Sequence, residues 1–214
     1  MGTNYKPELF EQMPVVGIIR NVSLETIEEI LPYYKKAGLT TLEITMNSDN
    51  VCAIIKAVAA NHPEINVGAG TVCTMDDLMQ ALEAGATFIV TPIMDVAVMK
   101  YCNENNIPIF PGAFTPLEIY KANKLGATAV KIFPATQMGP GYVKDILGPL
   151  DTIKLLPTGG VDVNNIQSFF QAGAIGVGMG GSLFDKKLIE AKNYELLYQH
   201  FKAICDAVNT ARAK

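Results

Sequence analysis

Short continuous apolar runs alternate along this chain with longer stretches in which apolar residues return every third or fourth position. The first pattern reads as strand and the second as amphipathic helix. Four segments share one order, a helix end, a glycine and then an apolar strand. They are Lys36-Ala-Gly38-Leu-Thr-Thr-Leu-Glu-Ile, Glu83-Ala-Gly85-Ala-Thr-Phe-Ile-Val, Lys124-Leu-Gly126-Ala-Thr-Ala-Val-Lys and Gln171-Ala-Gly173-Ala-Ile-Gly-Val-Gly. Each glycine stands where a helix C-terminus calls for positive φ. Interleaved with these is a second set of apolar runs, at 15–19, 65–70, 107–112 and 153–160, which brings the predicted strands to eight. Leu24, Ile27, Ile30 and Leu31 follow Ser23 at helical spacing, and Leu78, Ala81 and Leu82 follow Thr74. Ser23, Thr74, Thr115 and Asp162 occupy expected N-cap positions.

Alternating strands and helices, with strands apolar throughout, predict a parallel sheet covered by helices. Eight such units in 214 residues predict an α/β fold, a single-domain (β/α)8 TIM barrel over residues 1–214. The near-regular two-unit period favours closure over an open doubly wound sheet. Residues 1–13 are expected to form a short leading helix that plugs one end. The last helix, with Leu197, Phe201, Ile204 and Val208 at helical spacing, is expected to pack outside.

Composition narrows the partners. Hydrophobic residues make up 49% and charged residues 18%, which suits a compact globule. A net charge of −4 provides no basic footprint for nucleic acid or an anionic membrane. No apolar run approaches the roughly 20 residues that span a bilayer, and the first residues lack the apolar stretch of a signal peptide. The cysteines, at 52, 73, 102 and 205, form no close pair, so free thiols in a reducing cytoplasm are expected. His62 and His200 are too far apart in sequence to suggest a metal site. Metal-free chemistry without a cofactor is the expectation.

In a barrel of this kind the chemistry belongs at the C-terminal ends of the strands. Those ends deliver Arg20, then Glu43, Thr45 and Asn47, then Thr71, Thr91-Pro92, Pro111-Gly112, Lys131 with Phe133, Thr158-Gly-Gly160 and Gly178-Met-Gly-Gly-Ser182. His62, Glu64 and Thr87 fall at the opposite ends. Strand parity puts Ala129, Lys131 and Phe133 on one face and Thr41, Glu43 and Thr45 on another, and these less apolar faces are assigned inward. A buried lysine has a lowered pKa and a usable nucleophilic amine, whereas a lysine at a strand end can instead snorkel to water. Glu43, facing it across the lumen, would shuttle protons, or else pair with a neighbouring loop. Thr158-Gly-Gly-Val and Gly180-Gly-Ser182 lie where barrels build a phosphate cup from backbone N–H groups, with plain tight turns as the alternative. Arg20 suits a substrate carboxylate, or an ion pair with Glu43.

The ordered set Gly17-Ile-Ile-Arg, Leu42-Glu-Ile-Thr, Val67-Gly-Ala-Gly-Thr-Val72, Val90-Thr-Pro92, Pro111-Gly112, Val130-Lys-Ile-Phe-Pro-Ala135, Leu156-Pro-Thr-Gly-Gly-Val161 and Gly180-Gly-Ser182 resembles the KDPG/KHG aldolase family. Its members are class I aldolases of 2-keto-3-deoxy-6-phosphogluconate and 4-hydroxy-2-oxoglutarate. The resemblance implies a homotrimeric barrel that cleaves a 2-keto acid reversibly to pyruvate and an aldehyde. It implies Lys131 as Schiff-base lysine and Glu43 as proton shuttle. It also implies Thr71, Pro92 and Phe133 around the pyruvyl group, and Gly159, Gly160, Gly181 and Ser182 on the phosphate. Two positions depart from the pattern. Asn47 stands where many members carry a carboxylate-binding arginine, which leaves Arg20 as the candidate for that role, and Ile93 follows Thr91-Pro92 where glycine is common. Asn47, together with Met138-Gly-Pro-Gly-Tyr-Val-Lys144, is similar to the 2-dehydro-3-deoxy-6-phosphogalactonate aldolases.

The leading expectation is therefore a metal-free lyase acting on a keto acid or phosphosugar acid. A phosphosugar isomerase or epimerase would share the phosphate cup but needs paired acid and base groups or a metal. A non-catalytic phosphosugar-binding barrel would keep the glycines without needing both Lys131 and Glu43.

Overall fold

Eight parallel strands follow one another in chain order around a closed barrel in the computed structural model, which describes residues 3–213. They are β1 (Val15–Ile19), β2 (Thr41–Thr45), β3 (Asn66–Gly70), β4 (Ile89–Val90), β5 in two pieces (Ile109–Phe110 and Gly112–Ala113), β6 (Val130–Ile132), β7 (Leu155–Pro157) and β8 (Val177–Met179). The helices are α1 (Pro7–Gln12), α2 (Leu24–Lys36), α3 (Val51–Asn61), α4 (Met75–Glu83), α5 (Val96–Glu104), α6 (Pro116–Lys124), α7 (Gly139–Leu147), α8 (Ile166–Gln171), α9 (Lys186–Glu190) and α10 (Tyr194–Arg212). The expected (β/α)8 barrel is the observed fold.

One ladder runs from the first piece of β5 back through β1 to β8, and a second joins the other piece of β5 to β6 and β7. The Thr158–Gly178 bridge and the Lys131 N–H, which donates to the Pro111 carbonyl at 2.9 Å, close the ring between them. The expected single strand over 107–112 is thus interrupted at Pro111, because proline has no N–H to donate to a ladder.

Parity divides the apolar residues into two layers. Leu42, Ile44, Val130 and Ile132 face the helices, while Val16, Phe88, Val90, Phe110, Ala129 and Leu156 fill the lumen. The lumen is closed at the N-terminal ends of the strands by the segment carrying α1. Phe10 lies 5.7 Å from Phe110 between ring centroids, and Tyr5 lies 5.7 Å from Phe88. Asn66 pins this plug, accepting from the Lys6 N–H and donating to the Lys6 carbonyl, both at 2.8 Å. The leading helix is shorter than the expected span 1–13, of which residues 1 and 2 lie outside the described residues.

The four repeated glycines, 38, 85, 126 and 173, follow helix ends with φ between 89° and 101°, which side-chain-bearing residues rarely adopt. Ser23, Thr74 and Thr115 cap α2, α4 and α6 through their hydroxyls. Asp162 does not cap a helix directly. Its carboxylate accepts from the N–H groups of Asn164 and Asn165, stabilising a turn, and α8 begins only at Ile166. Asp has several nearby backbone partners to choose from, and here an Asx turn prevails.

Candidate active site

Lys131 occupies the middle of β6 and points into the lumen, only 5% exposed. Its Nζ sits 4.9 Å from the centroid of the Phe133 ring, a cation–π distance. The amine therefore does not snorkel to water. Burial pulls its pKa below the usual lysine value; the Glu43 carboxylate opposes that shift and Arg20 reinforces it.

Glu43 lies on the inward face of β2, 1% exposed, in register with Gly68 of β3. Burial raises its pKa, and the positive charges of Lys131 and Arg20 act in the opposite sense. Its Oε2 has no hydrogen-bond partner. The carboxylate packs against the Cα of Gly70, where any Cβ would overlap Oε1. Among the described residues Glu43 makes no ion pair within 4.0 Å, so the structural alternative of a loop salt bridge does not hold. The carboxyl and the amine sense each other across the lumen without touching.

Above this pair a cavity of about 740 Å³ opens over the ends of β7, β8 and β1. Arg20, Phe133, Gly159, Gly160, Gly181 and Ser182 line it. Lys131 and Glu43 are not part of its wall, but the Phe133 ring, 4.9 Å from the Lys131 Nζ, is. Gly159 and Gly160 have φ of 91° and 73°, and a Cβ on Gly160 would strike Thr136. Only glycine takes two successive positive φ angles without strain, and the missing side chains leave this turn's backbone open to the cavity. The Ser182 hydroxyl, expected to donate to an anion, donates instead to the Val161 carbonyl at 2.6 Å.

The remaining expected residues divide. Thr71 follows β3 with φ 56°, partly buried, and Pro92 is partly buried with its carbonyl packed against Gly112. Asn47 is exposed in the turn after β2, outside the cavity wall. Arg20 is exposed and makes no ion pair among the described residues, so the proposed pairing with Glu43 does not form. His62 belongs to a cluster at the opposite end, with Nε2 2.7 Å from Glu28 and Nδ1 3.0 Å from Lys35 Nζ. Among the described residues no group of three His, Cys, Asp or Glu side chains is arranged to hold a metal.

Sequence reasoning missed several groups here. Cys73, after β3, is close enough to act on the Lys131 charge. Lys186 and Glu190 of α9 line the outer cavity. Ser48 is buried beside Thr45. These groups carry no periodic signal, whereas Thr158, expected at the end of β7, is buried there and packs on Gly178.

A buried amine facing a buried carboxyl, next to a cavity lined by glycines and an arginine, is a constellation for carbonyl chemistry on an acidic substrate. The sequence pattern described as KDPG and KHG aldolase matches residues 7–200. The chain belongs to the KDPG and KHG aldolase family. A 2-dehydro-3-deoxy-phosphogluconate aldolase of Haemophilus influenzae is 34% identical over 206 residues, which cover 94% of this chain and 97% of that protein. Among solved structures, one described as native KDPGal superposes with a TM-score of 0.88 at 27% identity, covering 95% of this chain and 98% of the other. A KDPG aldolase from Legionella pneumophila, with pyruvate captured at low pH as a covalent carbinolamine, gives a TM-score of 0.86 at 25% identity over 94% and 98% of the two chains.

Proposed function

We propose that this member of the KDPG and KHG aldolase family is a class I aldolase that uses Lys131 as its Schiff-base nucleophile. It would cleave a 2-keto-3-deoxy-6-phospho sugar acid, 4-hydroxy-2-oxoglutarate, or both, to pyruvate and glyceraldehyde 3-phosphate or glyoxylate. The observation that carries the reading is the burial of Lys131 opposite Glu43.

The neutral Lys131 amine adds to the C2 ketone, giving a carbinolamine, and loss of water gives an iminium. Glu43 takes the proton from the C4 hydroxyl as the C3–C4 bond breaks. The bonding electron pair enters the iminium, leaving an enamine, and the aldehyde departs. Glu43 returns the proton to C3, and water then hydrolyses the iminium to pyruvate and the free lysine. A carboxyl whose pKa burial has raised suits both halves of that transfer. Arg20 holds the substrate carboxylate, with Thr71, Pro92 and Phe133 around the pyruvyl carbons, and the backbone of the Gly159–Gly160 turn with Gly181 and Ser182 takes the phosphate. Asn47, outside the cavity wall, leaves the carboxylate to Arg20.

The galactonate-derived phosphate is the second substrate reading, favoured by Asn47 and by the structural likeness to KDPGal. Isomerase and passive-binding readings leave the buried amine without a task. We also infer a homotrimer, supported by exposed Ile93, Val96, Phe114, Leu117 and Tyr120 on one flank. A cytoplasmic location is supported by the four free cysteines. No helix among the described residues is long and apolar enough to cross a membrane.

Incubation with pyruvate and borohydride should add a reduced pyruvyl group to the peptide containing Lys131. An adduct at another lysine, or none, defeats the assignment. Side-by-side pyruvate release from the gluconate- and galactonate-derived phosphates and from 4-hydroxy-2-oxoglutarate then ranks the substrates.

A further inference from the structure

Ser48 takes no part in the chemistry above, yet it is among the few buried polar residues at the catalytic end of the barrel, 9% exposed. Its hydroxyl accepts from the Asn21 backbone N–H at 2.9 Å and lies 3.0 Å from Thr45 Oγ1. Thr45 is fully buried at the end of β2, on the same inward face as Glu43. One hydroxyl thus ties the loop after β1 to the strand that carries the carboxyl.

The tie falls on backbone that needs holding. Asn21 has φ 52°, in the left-handed region that side-chain-bearing residues enter at a cost. Arg20, immediately before it, lines the cavity and has no ion-pair partner among the described residues. The backbone at Arg20 sets the direction in which its side chain leaves the main chain, so whatever fixes the turn at Asn21 also fixes where the guanidinium's reach begins. Fixing a binding group in advance raises affinity by lowering the ordering cost on binding.

We propose that Ser48 is a positioning residue: its hydroxyl holds Asn21 in the left-handed conformation and thereby aims the Arg20 guanidinium at the substrate carboxylate. The proposal rests on the aldolase reading and on Arg20 as the carboxylate partner. Because Arg20 also lowers the pKa of Lys131, a misdirected guanidinium leaves a second trace there.

Steady-state kinetics of Ser48→Ala, Ser48→Thr, Arg20→Gln and the Ser48→Ala/Arg20→Gln pair test it, with pyruvate trapping across pH on each. Ser48→Ala should raise KM for the keto acid about five- to tenfold, the worth of one buried hydrogen bond, with kcat nearly unchanged. Ser48→Thr keeps the hydroxyl and should restore KM. In the Arg20→Gln background Ser48→Ala should add nothing further. The trapping profile of Ser48→Ala should move to higher pH, in the direction of Arg20→Gln. Asn21→Val, at an exposed position, disfavours the same left-handed φ without touching a buried group, and should raise KM even where Ser48→Ala fails to fold. An unchanged KM in Asn21→Val, or additive effects of Ser48 and Arg20, overturns the proposal. A wild-type protein that neither traps nor releases pyruvate refutes the aldolase reading and this proposal with it.

Discussion

Lys131 is held against its own solvation. A buried ammonium without a touching counter-ion is destabilising, and replacing such a group by an apolar one of similar length commonly stabilises. Lys131→Met should raise unfolding free energy at pH 7 by roughly 1–3 kcal/mol in denaturant titrations while abolishing turnover. The pH dependence has a definite sign. Because the folded-state pKa is lowered, the unfolded chain binds more protons between that value and the ordinary lysine value. Wild-type stability therefore rises with pH through that window, and the advantage of Lys131→Met shrinks as it is crossed. A constant advantage across the alkaline range would show that Lys131 is not desolvated in solution. The same charges tune reactivity. Glu43 raises the Lys131 pKa and Arg20 lowers it, so the pH midpoint of pyruvate trapping should fall in Glu43→Gln and rise in Arg20→Gln. Opposite shifts would reverse the electrostatic assignment. Lys131 and Glu43 were legible from parity and from their polarity in apolar strands. Ser48 was not, because a hydrogen bond between two loops leaves no period in the sequence.

Strands β2 and β3 act as one unit in presenting the carboxyl. Thr45 pairs with Gly70, and the missing side chain at Gly70 is the space into which Glu43 folds. Gly70→Ala should therefore displace Glu43 while leaving Lys131 in place. Turnover should drop by about 10²-fold or more, the usual worth of a positioned acid or base, while pyruvate still traps on Lys131. Retained turnover would mean that the carboxyl is not needed where the structure holds it. On the flank, the Thr115 hydroxyl accepts from the Glu118 N–H while the Glu118 carboxylate accepts from the N–H groups of Phe114 and Thr115, a full capping box. The continuous apolar runs and the capped helices were readable because each is a local pattern. The break of β5 at Pro111, the Asx turn at Asp162 and the Asn66 clamp were not. Each depends on which distant backbone groups are within reach, which only the closed barrel decides.

At the scale of the whole molecule, eight near-regular units and one plug account for closure, and both were foreseen from the alternation of strand and helix. What that alternation leaves unexplained is the outer surface. Ile93 is 54% exposed and Leu117 61%, with Val96, Phe114 and Tyr120 also exposed, all near the C-terminal ends of β4 and β5 and on the helices that follow them. Five of the eight exposed large hydrophobic residues among the described residues gather there, with Met79, Val163 and Leu196 elsewhere, and such a gathering calls for a partner surface. In a closed ring of identical chains, each flank would meet a different surface of the next copy, a heterologous contact that closes after three steps in the proposed trimer. Sedimentation should give the wild type about three times the 23.1 kDa chain mass. Ile93→Asp with Leu117→Asp places two carboxylates in that contact, where an unpaired buried charge is strongly unfavourable. The double variant should sediment as a single chain and keep the far-ultraviolet dichroism of the barrel. Because Lys131 and Glu43 both come from within one barrel, pyruvate trapping should persist in the dissociated form. A wild type of single-chain mass would remove the trimer, and a double variant of unchanged mass would move the interface to another face.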